Sequence, residues 1–112
     1  MSDCLFCKII EGKIPSSKVY EDEKVYAFRD INPQAPVHVL VVPKAHYSDV
    51  KDAAKDQALL GYLFAKCGEI AESEGLKNGF RLITNCGDDA CQSVHHMHVH
   101  ILGGTKLTDK MG

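Results

Sequence analysis

Apolar residues along this chain recur in two rhythms, one of three to four residues and one of two, separated by breaks rich in proline, glycine and acids. Cys4–Glu11 carries Leu5, Phe6, Ile9 and Ile10 on one side and is followed by Gly12 and Pro15, which predicts a brief helix ended by a turn. Lys18–Tyr20 and Lys24–Arg29 read as two strands joined by the polar turn Glu21-Asp22-Glu23. The stretch from Asp30 to Pro36 is a loop marked by two prolines. Val37–Val42 is β-branched and apolar apart from His38, as a central strand would be, and Pro43 closes it.

Between Asp56 and Glu74 the period changes. Leu59, Leu60, Leu63, Phe64, Cys67, Ile70 and Ala71 return at helical steps, and Gly75 supplies a stop. Phe80–Thr84 and Val94–Leu102 read as two further strands separated by a loop containing glycine, aspartate and cysteine. The order is thus helix, three strands, helix, two strands. Too few helices separate the strands for a parallel sheet, so the expected class is α+β with a five-stranded antiparallel sheet.

Composition narrows the setting. The 112 residues suit a single domain, 1–112, with 45% hydrophobic and 25% charged residues. So short a chain buries a limited share of its surface, and a partner subunit would add core. A formal charge of −2 offers no global attraction to nucleic acid or to an anionic membrane, and neither is an expected partner. The opening residues lack a basic flank followed by a long apolar run, and no apolar stretch approaches the ~18 residues of a membrane span. Five cysteines without an export signal suggest reduced thiols or metal ligands and a cytoplasmic location.

The densest chemistry lies in Val94-His95-His96-Met97-His98-Val99-His100-Ile101-Leu102. On a strand, His96, His98 and His100 share one face while Met97, Val99 and Ile101 share the other. The apolar row would pack on the long helix, and the imidazoles would stand about 6.5 Å apart. His95 falls on the apolar side and reads as packing. Such a row can chelate a metal together with an outside ligand. It can also present a nucleophile flanked by groups that bind and protonate a phosphate, since imidazole attacks phosphorus and titrates near neutrality. Gly87, Gln92 and Ser93 just upstream offer donors to phosphate oxygens and favour the second use.

His96-Met97-His98-Val99-His100-Ile101-Leu102 resembles the signature of the histidine triad (HIT) superfamily. Asp30-Ile31-Asn32-Pro33-Gln34-Ala35-Pro36-Val37-His38 is similar to that family's ribose-side motif, and Phe80–Asn85 and Gln92-Ser93-Val94 agree in order and spacing. The similarity covers nearly the whole chain. Leu102-Gly103-Gly104 resembles the nucleotide-binding Hint branch. His100 stands where the uridylyltransferase branch carries glutamine, which favours a hydrolase over a transferase. The resemblance implies a HIT fold dimerising into a ten-stranded sheet. It also implies a phosphoramidase that cleaves the P–N bond of purine nucleoside 5′-phosphoramidates, derivatives of AMP or GMP. A nucleotide-binding regulatory module with little turnover, a dinucleoside polyphosphate hydrolase and a metal-dependent hydrolase are the competing readings.

The same resemblance assigns roles. His98 is the nucleophile forming a nucleotidyl-histidine intermediate, and His100 binds a phosphate oxygen or protonates the departing amine. His38 borders the site, and Ser93, Asn85 and Gln92 lie on the phosphate side. Asp30 takes the ribose hydroxyls, while Phe28, Ile31 and Val37 wall the base. Catalysis needs no cofactor. Cys4-Leu5-Phe6-Cys7 is by itself half a zinc site, a redox pair or chance. Some family members hold structural zinc with such a pair, and here His46 and His96 would complete a Cys₂His₂ set, making His96 structural. The chain departs from the Hint pattern at Ala90-Cys91, where two glycines are usual and where Cβ atoms would narrow the pocket.

Overall fold

The computed structural model describes residues 4–111. Helix α1 spans Leu5–Ile10, with Cys4 as its N-cap: the Cys4 Sγ accepts the Cys7 N–H at 3.3 Å. Strands β1 (Lys18–Glu21), β2 (Val25–Arg29) and β3 (Val37–Pro43) follow. A single turn, α2 (Val50–Ala53), precedes the long helix α3 (Gln57–Ser73). Asp56 caps α3 by accepting the Leu59 N–H, and Gly75, at φ +79°, takes the left-handed turn that ends it. Strand β4 (Phe80–Ile83), a 3₁₀ turn over Asp88–Ala90 and strand β5 (Val99–Gly103) complete the chain.

The five strands form one antiparallel sheet in the order β1-β2-β3-β5-β4. Central β3 is buried on both faces, as its unbroken apolar run requires. Val39 and Val41 point with Val25, Ala27, Val99 and Ile101 toward Leu63, Cys67, Ile70 and Ala71 of α3. Leu40 and Val42 point the other way, with Tyr26 and Phe28, and are covered by Phe6 and Ile9 of α1. The two helices therefore lie on opposite faces of the sheet. Met97, Val99 and Ile101 pack on the α3 side as their alternation predicts. Among the described residues no helix is long and apolar enough to cross a membrane.

At the β1–β2 turn, Asp22 accepts the backbone N–H groups of Lys24 and Val25 and the hydroxyls of Tyr20 and of Tyr62 from α3. Burial alone would raise its carboxyl. These four donors outweigh burial and hold it well below the ordinary carboxylate range. One turn carboxylate thereby ties the long helix to the sheet edge.

Two expectations need correction. The last strand covers Val99–Gly103, not Val94–Leu102. Its neighbour β4 ends at Ile83, opposite His100, so residues before Val99 lack that ladder partner. They bond instead to the loop after β3: the Met97 N–H donates to the Tyr47 carbonyl, and the Gln92 amide bridges the Ser48 and Val94 carbonyls. His95, expected as packing, is exposed on this irregular segment.

Candidate active site

The α1-covered face of the sheet holds a cavity of about 370 Å³. Phe28 and Asp30 reach it from β2 and its end, Leu40 from β3, His100 from β5, and His98 from the residue before β5. Leu5, Phe6 and Ile9 of α1 form the opposite wall, and Ile14, Ile31 and Ser93 lie at its margins. The imidazoles of His98 and His100 have centroids 5.1 Å apart, closer than the ~6.5 Å of two strand rises.

Hydrogen bonds decide which nitrogen of each ring carries a proton. The His98 Nδ1 lies 2.8 Å from the His96 carbonyl oxygen, to which only an N–H can bond. Its proton is therefore on Nδ1, and Nε2 keeps a lone pair. The Thr84 hydroxyl donates to the His98 carbonyl at 2.7 Å and steadies the same residue from β4's end. His38 has the opposite form: its Nδ1 accepts the Gln34 N–H at 3.0 Å, so its proton sits on Nε2. That Nε2–H donates to His100 Nδ1 at 2.9 Å, with the Asp30 carboxylate 3.4 Å away. His100 then carries its proton on Nε2. Two adjacent rings lining one cavity thus present opposite functions, a lone pair on His98 and an N–H on His100.

Charge supports this pattern. Burial lowers His38 and His98, against the raising effect of Asp30 on both. Burial, with His98 and His38 as neighbours, brings His100 down to about 4. All three rings are neutral at pH 7, as the tautomer assignment requires. Between about 4 and the ordinary value of 6.5 the unfolded chain binds protons that the folded state refuses, so stability rises with pH across that window. The melting temperature is expected to fall as pH drops from 6.5 toward 4 and to be nearly flat above 7. His100→Gln should make the wild-type slope shallower when both are scanned by calorimetry.

Asp30, His38 and His100 also place three donor atoms within 4.8 Å. A cation there would need the His38 Nε2 lone pair, but Nδ1 already accepts the Gln34 N–H, so Nε2 holds the ring proton. The trio transmits a hydrogen bond and does not chelate.

His96 belongs to a different cluster. Its Nε2–H donates to the Pro43 carbonyl at 2.8 Å, leaving the Nδ1 lone pair facing Cys4 Sγ at 3.3 Å, Cys7 Sγ at 3.6 Å and His46 Nδ1 at 3.1 Å. Zinc bond lengths of ~2.0–2.3 Å set tetrahedral ligand separations of about 3.3–3.8 Å, close to these values. Burial and the neighbouring Cys4 raise the Cys7 thiol to about 11, so a cation is what would make it a thiolate at neutral pH. The donor set, its spacing and the carbonyl fixing the His96 ring all fit a structural zinc ion held by Cys4, Cys7, His46 and His96.

Other expected site residues fall in different places. Phe28, Ile31, Asp30 and Ser93 line the cavity. Asp30 also caps its own turn, accepting the Asn32 N–H at 2.8 Å. Val37, expected on the base wall, packs instead on the α3 side, because it shares the face of Val39 and Val41. Gln92, expected on the nucleotide, spends its amide on the Gly87 N–H and on the Ser48 and Val94 carbonyls, bracing the loop below Ser93. Asn85 is half-buried beyond β4 and does not line the cavity.

Neither Ala90 nor Cys91 narrows the cavity, since neither lines it. Cys91 adopts φ 60°, ψ 37°, the only positive φ of a non-glycine residue among those described. This left-handed conformation costs an L-residue ~1–2 kcal/mol, part of which glycine would return in unfolded-state entropy. Cys91→Gly is expected to stabilise the fold by about 0.5–1 kcal/mol, read as an upward shift in the denaturation midpoint.

Sequence reasoning overlooked the α1 wall, Thr84 and the Gln34 N–H. The apolar side of α1 was the available signal for the first. Thr84 is placed by the pairing of distant segments, and the Gln34 N–H by the conformation of the loop four residues before His38.

One face of an antiparallel α+β sheet thus brings a lone-pair histidine beside a donor histidine, with a Cys₂His₂ cluster next to them. The chain belongs to the HIT domain family, which it matches across residues 11–107. It is 49% identical over 114 residues to a 14 kDa zinc-binding protein of Zea mays, covering 95% of this chain and 85% of that one. Protein HitA of Neisseria gonorrhoeae is 45% identical, covering 92% and 97%. A HIT family hydrolase from Clostridium thermocellum superposes with a TM-score of 0.93 at 45% identity, covering 99% and 98%. A histidine triad nucleotide-binding protein from Candida albicans superposes with a TM-score of 0.82 at 30% identity, covering 98% and 87%.

Proposed function

We propose that this protein hydrolyses the P–N bond of purine nucleoside 5′-phosphoramidates through a covalent nucleotidyl-histidine on His98, with structural zinc in the Cys4, Cys7, His46 and His96 cluster. The observation that carries this reading is the pair of opposite tautomers. His98 holds a lone pair fixed by the His96 carbonyl, and His100 holds an N–H fixed through His38. His98 Nε2 attacks the α-phosphorus as the P–N bond breaks, and the His100 Nε2–H passes to the leaving nitrogen while a solvent proton replaces it, so that the nitrogen departs as an amine and His100 stays neutral. Water then attacks phosphorus and gives up its proton through His100 to solvent. His98 leaves as neutral imidazole, and the mononucleotide is released.

Ser93, at the cavity margin, donates to a phosphate oxygen, and Asp30 accepts from the ribose hydroxyls. Phe6, Ile9 and Phe28 sandwich the base. The similarity to a HIT family hydrolase and to a histidine triad nucleotide-binding protein supports the substrate class. Edge strand β4 leaves Phe80 exposed, which supports a homodimer joined along that edge. Wild-type turnover of an adenosine phosphoramidate with a fluorogenic amine tests the reaction. Mass spectrometry after a quench in alkaline denaturant, in which a P–N bond to histidine survives, should find His98 carrying one adenylyl group. Hydrolysis without such an adduct in the pre-steady state would overturn the covalent scheme, and binding without turnover would favour a regulatory nucleotide-binding module.

A further inference from the structure

The base end of the cavity is apolar except at one point. On the site face of β2 the side chains run Asp30, Phe28, Tyr26, each about 6.5 Å from the last. In the sheet register Asp30 lies beside His38, Phe28 is level with Leu40 and His100, and Tyr26 is level with Val42. The buried Tyr26 bonds through its hydroxyl to the Ser16 Oγ at 2.8 Å, and Ser16 itself lines the cavity. Ile9, Ile14 and Phe28 pack with Tyr26 in one apolar cluster beside this pair, and Pro15 lines the same cavity.

Two hydroxyls bonded to each other spend one hydrogen between them and keep one hydrogen and spare lone pairs. Such a pair can donate to a carbonyl or ring nitrogen, or accept from an amino group, by rotating its hydroxyls. Held at the end of an apolar slot, it rewards any base with a polar outer edge and penalises one without, since the pair then loses a partner on desolvation.

Resting on the nucleotide-hydrolase reading above, we infer that Ser16, backed by Tyr26, is a specificity-determining residue that reads the exocyclic group of the bound base. It accepts both adenine and guanine and discriminates against a purine lacking such a group. The chain then has no reason to separate adenine sharply from guanine, because the reader is ambidextrous.

Calorimetric titration with AMP, GMP and purine riboside 5′-monophosphate tests this for wild type, Ser16→Ala and Tyr26→Phe, each checked for an unchanged melting transition. Wild type should prefer AMP and GMP over the unsubstituted purine by roughly two- to tenfold, the worth of one neutral hydrogen bond. Ser16→Ala should erase that ratio by weakening AMP and GMP without weakening purine riboside monophosphate, and Tyr26→Phe should reduce it. A merely structural role for the pair would weaken all three ligands alike, and that outcome, or an unchanged ratio in Ser16→Ala, overturns the inference. Failure of wild type to bind any of the three removes the nucleotide reading itself, which is a separate result.

Discussion

His98→Ala is expected to lower kcat on an adenosine phosphoramidate by roughly 10⁴-fold or more, the scale seen when a covalent nucleophile is removed. No other ring can take its place. His100 offers its N–H to the cavity and has its Nδ1 occupied by His38, while His38 has one nitrogen on Gln34 and the other on His100. KM should change less than kcat, because the cavity residues proposed to hold the base and ribose, Phe6, Phe28 and Asp30, remain in place. Steady-state kinetics on a variant whose folding is verified by near-UV circular dichroism checks this. Residual activity within tenfold of wild type would mean water attacks phosphorus directly. His100→Ala should cost less with a leaving group that needs no proton than with an alkylamine, since its proposed part is to pass a proton to the departing nitrogen. The two variants therefore separate by their dependence on the leaving group.

Much of the site was legible because histidine alternation is a one-dimensional signal. The apolar partners Met97, Val99 and Ile101 do pack under α3, and the triad does face the other way. What alternation could not reveal is that the triad is divided. His96 turns into the Cys₂His₂ cluster, and its carbonyl, not its ring, serves His98. That division depends on a bend before Val99, which arises because β4 is too short to pair with the residues preceding it and the loop at Tyr47 captures them instead. Val37 shows the converse error. A neighbour of His38 in sequence, it lies on the far side of the sheet, and strand alternation already predicts that placement. The helix bounds were readable because Asp56 and Gly75 are strong end signals. The α1 wall was harder to read, because a six-residue helix has no stable position until something anchors it.

That anchor supplies the second large effect. Cys7→Ala, or exhaustive chelation under reducing conditions, is expected to lower the melting temperature by roughly 10–20 °C. Freeing α1 exposes Phe6 and Ile9, worth about 1.5–3 kcal/mol each, and part of that is offset by regained chain entropy. Activity should fall as well, although the proposed chemistry runs through no metal. The Phe6 ring packs edge-on against His98 at 5.1 Å and against His96 at 6.0 Å, so the cluster holds both the cavity wall and the carbonyl that orients the nucleophile. Cobalt or cadmium replacement tells a structural metal from a Lewis acid. Either ion should restore the melting temperature and bring kcat back to near the zinc value, because only the tetrahedral clamp matters. A kcat that followed the identity of the metal while the melting temperature stayed constant would instead place the ion in the reaction, against the fixed tautomers of His38, His98 and His100.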